Sequence, residues 1–195
     1  MKTTFRPAIM LFGALTLVVG GLYPLAVTGI GYAAFPDQVR GSLVTQGGRT
    51  VGSRLIGQSF ASPGYFWGRP SATAPMANHA IASAGSNLGP LNPALMAAVQ
   101  GRVAALRTAD PGNTAPVPVD LVSASASGLD PEISLAAARY QAGRVARART
   151  LPRERVEALI GELAIMPVLG VFGEARVNVL ALNLALDRAY TRGHE

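Results

Sequence analysis

The chain has 195 residues, of which 49% are hydrophobic and only 14% charged, with a mean hydropathy of +0.30. A disordered chain would be polar and charge-rich, so that class is excluded, and the length allows one domain together with a membrane segment. The absence of cysteine removes disulfides, thiol nucleophiles and cysteine-built zinc sites, while a net charge of +6 raises the question of nucleic acid.

That charge is concentrated in two places. Lys2 and Arg6 give +2 at the N-terminus, the segment 139–155 carries +5, and the remainder sums to −1. The basicity reads as a short arm and one local patch, not as a nucleic-acid footprint.

Residues 7–36 form an uncharged run of 30. At about 1.5 Å per residue a helix of that length exceeds the roughly 20 residues needed to cross a bilayer. Its middle is apolar on every face, and it is about twice as long as the apolar region of a cleaved signal peptide. The expectation is one uncleaved transmembrane helix over residues 9–33, opening on Ile9 and closing on Ala33, with a disturbance at Pro24. Lys2 and Arg6 flank its start, so the positive-inside rule puts the arm, residues 1–8, in the cytoplasm. Residues 34–195 are then an extracytoplasmic domain.

Within that domain, Ser42 to Val51 around Gly47-Gly48 predicts a hairpin with a primed turn. Residues 57–93 are dense in Gly, Pro, Ser and Asn and read as a linker or a long ordered loop. Tyr65-Phe66-Trp67 argues for order. Asn92-Pro93 looks like a helix cap followed by proline, and Leu95, Val99, Val103 and Leu106 continue one helical face up to Asp110. Residues 118–122 form a strand candidate. Asp130-Pro131-Glu132 repeats the cap signal and predicts a helix to about Arg149, with the arginines 139–155 as a solvated, dipole-complementing end. A further helix carries Val156, Leu159, Ile160 and Leu163. Residues 176–182 read as a strand, turning into a terminal helix near Asn183. The fold class is α+β: one N-terminal membrane helix, then a single mixed α/β domain.

Evident catalytic chemistry is missing. Lys2 is the only lysine, so there is no P-loop, and His79 and His194 are the only histidines. His79 reads as a surface residue. Gly57-Gln58-Ser59-Phe60-Ala61 lacks the final glycine of a nucleophile elbow. Asp130 and Glu132 make a carboxylate pair that capping explains. A membrane-anchored hydrolase acting on cell-wall material, or a secreted binding protein, stands as the alternative reading.

Several blocks resemble a known family. Leu55-Ile-Gly-Gln-Ser-Phe60, Gly64-Tyr-Phe-Trp-Gly-Arg-Pro-Ser-Ala-Thr-Ala74, Gly85-Ser-Asn-Leu-Gly89, Pro118-Val-Asp-Leu-Val-Ser-Ala-Ser-Ala-Ser-Gly-Leu-Asp130 and Val177-Asn-Val-Leu-Ala-Leu-Asn-Leu-Ala-Leu-Asp187 follow in order along the chain. Gly20-Gly-Leu-Tyr-Pro-Leu25 in the span joins them. Together they resemble the C subunit of the Kdp potassium-transporting P-type ATPase. Glu132 departs from the pattern, standing where a histidine is common.

The resemblance implies an accessory, non-catalytic subunit of a high-affinity potassium uptake pump in the bacterial inner membrane. Its implied partners are the lipid bilayer, a channel-like A subunit, a P-type B subunit that hydrolyses ATP and a small single-helix F subunit, with no nucleic acid. It implies no cofactor of its own, although ATP bound by the catalytic subunit has its affinity raised in a chaperone-like way. Gly68, Arg69, Pro70, Ser71, Ser86, Asn87 and Asp130 are the candidates for a partner interface. The alternative for these positions is turns and caps that the fold requires.

Overall fold

The computed structural model describes residues 2–192; His194 lies outside the described residues. The chain divides into two compact units, Met1–Leu43 and Val44–Glu195.

The first unit is helical. Helix α1 (Lys2–Leu17), a π-helical turn (Val18–Leu22) and helix α2 (Tyr23–Ala34) run on as one apolar rod. Over Thr4–Ala34 this rod is 31 residues long, reaches a mean hydropathy of 2.0 and has no buried share, so it is long and apolar enough to cross a membrane. The disturbance expected at Pro24 takes the form of the π turn, in which the Tyr23 N–H bonds back to the Val18 carbonyl. Widening the ladder just ahead of the proline accommodates the missing N–H and the ring's clash with the preceding turn. Phe35, at φ −137°, breaks the helix before Pro36, as a residue preceding proline tends to, and α3 (Pro36–Val39) adds one more turn.

The second unit opens with the expected hairpin, β1 (Leu43–Gln46) and β2 (Arg49–Ser53). Gly47 and Gly48 both sit at positive φ, +56° and +76°, which is what a two-residue primed turn requires. Helix α4 (Pro93–Ala109) starts where the cap signal put it: the Asn92 side chain accepts from the Ala94 N–H at 2.9 Å. Leu106 is its one buried residue, so α4 is peripheral.

The core gathers on α5 (Leu135–Ala148), α6 (Arg153–Glu162) and α7 (Val179–Arg192). Ala137, Ala138, Ala142 and Val145 on α5 are fully buried, and such small side chains let α6 approach with Val156, Leu159 and Ile160. Beside them lies a three-stranded antiparallel sheet of β3 (Glu132–Ser134), β4 (Ala164–Ile165) and β5 (Arg176–Asn178) in the order β3-β5-β4. Ile133 faces Val177 across the β3–β5 pair, and both are buried.

Three expectations are corrected. Residues 118–122 are not a strand but contain a 3-10 turn, Val119–Leu121, closed by the Leu121 N–H on the Pro118 carbonyl. The Asp120 carboxylate accepts from the Ser134 N–H at 2.8 Å, so this edge of β3 is taken by a side chain and not by a ladder. The helix expected from Asp130 begins at Leu135. Residues 132–134 pair with β5, and Ser134 supplies the cap by accepting from the Ala137 N–H. Tertiary pairing of Ile133 with Val177 overrides the local cap signal, while the far end, near Arg149, stands as expected. Third, the strand read over 176–182 stops at Asn178, whose side chain accepts from the Ala181 N–H and caps α7. Strand β4 had no counterpart in the sequence reading.

Candidate functional site

Residues 54–92 form an ordered loop with a single 3-10 turn, Ala80–Ala82. What orders it is a polar seam between α5 and α7. Phe66 is fully buried. Its N–H donates to the Asn183 carbonyl oxygen at 2.8 Å, and its own carbonyl accepts from the Asn183 amide at 3.0 Å. Gln141 treats Trp67 the same way, at 2.9 and 3.1 Å. Two side-chain amides therefore read the loop backbone as a neighbouring strand would, and buried backbone groups are paired without any sheet.

Arginines close the seam. Arg144, 4% exposed, donates to Gln141 Oε1 at 2.7 Å and to the Pro63 carbonyl, and its guanidinium lies 4.2 Å over the Trp67 ring. Burial pulls its pKa down to about 10, opposed by the Asp110 charge, so it stays cationic at neutral pH. Arg149 donates to the Gly64 carbonyl, pairs with Asp187 at 2.7 Å and lies 4.5 Å over Tyr65, whose hydroxyl also donates to Asp187. The arginine cluster is thus only partly a solvated helix end, contrary to expectation. Arg144 and Arg149 are structural: one projects from α5, the other from its C-cap, and both bond to the 62–67 loop.

The outward side of this loop carries the sequence candidates. Arg69 pairs with Asp130 at 3.0 Å, each side chain about one quarter exposed. The other Asp130 oxygen accepts from the Glu132 N–H, and Glu132 in turn pairs with Arg176 at 2.6 Å. Asp130 and Glu132 therefore serve two ion pairs, not a helix cap. Both pairs line a groove of about 350 Å³, with Asp120 and Glu174 on its walls. Among the described residues no group of three or more His, Asp or Glu is placed to hold a metal ion.

Ser71 is a knot beneath this face. Its hydroxyl donates to the Gly128 carbonyl at 2.6 Å and accepts from the Asn78 N–H at 2.9 Å. Gly128 sits at φ +68°, and a Cβ there would come within 2.6 Å of the Ala84 carbonyl, so only glycine fits. The Pro70 carbonyl accepts from the Ser125 N–H, and Gly68 packs near Val179. Residues 68–71 and Asp130 thus come together. Ser86 and Asn87 do not join them: both are exposed, beyond the point where Gly85 meets the Ala126 carbonyl. His79 is half-buried at the surface, with its backbone N–H on Thr73 Oγ1.

Arg176, Gln141, Asn183 and Arg149 escaped the sequence reading. The last three follow from it once α5 and α7 are drawn as helices, since each then faces the aromatic loop.

Beside the groove, β4 and β5 are joined by an apolar loop. Val168 and Phe172 bridge through paired N–H···O bonds of 2.9 and 3.0 Å, and Leu169 at the turn is 85% exposed with φ +55°. Val171 and Phe172 are 77% and 67% exposed.

The family model described as "KdpC: K+-transporting ATPase, c chain" matches residues 5–188. A protein of Janthinobacterium sp. (strain Marseille) named potassium-transporting ATPase KdpC subunit is 65% identical, over 96% of this chain and 100% of its own length. Proteins of the same name from Herminiimonas arsenicoxydans and Variovorax paradoxus (strain S110) are 64% and 65% identical, each over 96% of this chain and 99% and 97% of their own. The chain belongs to the KdpC family, the c chains of potassium-transporting ATPases.

Proposed function

We propose that the chain is a single-span, non-catalytic subunit of an ATP-driven potassium uptake pump in the bacterial inner membrane. The N-terminus lies in the cytoplasm and residues 44–195 lie on the outer side. The A, B and F subunits are its partners, and residues 44–195 dock on the channel-like A subunit. ATP chemistry belongs to the B subunit. Any rise in its ATP affinity reaches it through the assembled complex as a coupling between sites, since the two would lie on opposite sides of the bilayer.

One observation carries this docking role. The loop between β4 and β5 holds Leu169 in the left-handed region and almost fully exposed, alongside exposed Val171 and Phe172. A bulky residue there costs about 1–2 kcal/mol in backbone strain, and its exposed surface gains nothing from folding. The Val168–Phe172 bonds close the turn, but they bury none of its exposed apolar side chains, whereas a protein partner would. Next to it, the Arg69–Asp130 and Glu132–Arg176 pairs supply a polar rim, giving an apolar centre beside charged edges.

Expression of residues 1–36 alone beside the other subunits tests the reading. Loss of the purified complex, or of potassium affinity, is the expected outcome. A pump that assembles and transports normally with only this segment would contradict it.

A further inference from the structure

Arg139, Arg147 and Arg153 face a second groove, about 580 Å³ in volume, on the opposite side of α5. Its floor is one helical stripe: Ala136, Arg139, Tyr140, Gly143 and Arg147 follow the spacing i, i+3, i+4, i+7, i+11. Gly143 adds no side chain to the floor. The facing wall is the turn 110–118, pinned to the helix by the Asn113 amide on the Tyr140 carbonyl at 2.9 Å and by the Arg147–Asp110 pair. Arg153, at the start of α6, closes one end.

Two features of this groove find no account in the fold. Tyr140 is nine-tenths buried, and its hydroxyl has no hydrogen-bond partner among the described residues. A buried unpaired hydroxyl is unfavourable, and native structures seldom keep one. Arg139 is exposed and has no ion-pair partner among the described residues. Arg147 is paired with Asp110 and Arg153 with Glu157, so Arg139 is the lining cation left without a carboxylate partner among the described residues. The phenol's pKa is raised, first by burial and then by Asp110, so the group stays a proton donor.

We propose that this groove binds a phosphate group, with Arg139 and Arg147 gripping its oxygens and the Tyr140 hydroxyl donating to one of them. A phosphate carries about −1.5 to −2 charges and three acceptor oxygens, one for each of the Tyr140 hydroxyl and the Arg139 and Arg147 guanidiniums. Guanidinium forks suit phosphate oxygens geometrically. The volume exceeds that of one phosphate and leaves room for an ester. The phosphate is either soluble or the headgroup of an anionic phospholipid.

The test uses the full chain in detergent micelles, titrated with inorganic phosphate, and in nanodiscs with or without phosphatidylglycerol. Calorimetry reads the first arm, and hydrogen exchange over residues 110–118 and 136–147 reads the second. Arg139→Gln and Tyr140→Phe are the variants. Each removes at least one charge-assisted hydrogen bond, so each weakens binding by at least about tenfold, with an unchanged melting temperature. Saturable phosphate binding lost in both variants supports the site with a soluble ligand. Protection by phosphatidylglycerol alone, again lost in both variants, supports it with a lipid headgroup. Binding that survives both substitutions, an equal response to acetate at matched ionic strength, or no response in either arm overturns the proposal.

Discussion

Arg144 and Arg149 lie in the seam under the aromatic loop, whereas Arg69 and Arg176 line the open groove on the domain's other face. Side-chain exposure separates them: Arg149 retains 11%, Arg69 27% and Arg176 41%. In the seam each guanidinium bonds to one loop carbonyl, Pro63 or Gly64, and to one side chain, Gln141 or Asp187, and lies over an aromatic ring, so it holds the loop in place. In the groove they meet carboxylates in water, where an ion pair contributes at most about 1 kcal/mol. The same side chain therefore organises the fold in one region and leaves charge for a partner in the other.

That contrast breaks most visibly at Phe66. Phe66→Ala should cost about 3–5 kcal/mol through the lost burial and the cavity left behind. Chemical denaturation of residues 44–195 within the full chain reads it out. Asn183→Leu keeps the branched side-chain skeleton but strips the Phe66 N–H and C=O of partners, with an expected loss of about 2–4 kcal/mol. If the leucine variant were as stable as the parent, the seam would be ordinary apolar packing. Arg69→Ala, by contrast, should change stability by about 1 kcal/mol or less.

The smallest expected effect is one of pH. Tyr140 holds its proton above the ordinary phenol value near 10, so its contribution to stability is complete below that value and fades as pH rises towards its folded pKa. Arg144, drawn down to about 10, acts in the opposite sense, since the unfolded chain then binds more protons than the folded one. Tyr140→Phe removes only the fading component. The variant should lose less stability than the parent between about pH 9 and 11, followed by thermal melting.

Much of the architecture is legible in the residues. The uncharged run to Pro36, the Gly47-Gly48 turn and the Asn92-Pro93 cap are local signals, and the structure keeps them because nothing distant competes. The misreadings cluster where pairing is non-local. Asp130-Pro131 has the chemistry of a helix start, yet Ile133 is drawn into the sheet by Val177, more than forty positions away. Leu180, Leu182, Leu184 and Leu186 alternate like a strand, yet all four are buried on a helix, with Val179, Leu182 and Leu186 along one face of it. The Asn178 cap was the readable clue. For the candidate site, the family motif pointed to Arg69, Ser71 and Asp130, which the fold brings together around residues 68–71. Arg176 was invisible because its partner Glu132 lies on a neighbouring strand.

The most direct test of the contrast substitutes the outer face and leaves the seam intact. Leu169→Asn with Phe172→Ser keeps a residue tolerant of positive φ at the turn and removes exposed apolar surface without touching Phe66 or Asn183. The measurement is co-purification of this variant with the other pump subunits from mild detergent, beside its melting temperature. The account predicts a parental melting temperature and a complex that no longer holds together. A complex recovered in full with potassium-stimulated ATPase activity would contradict it.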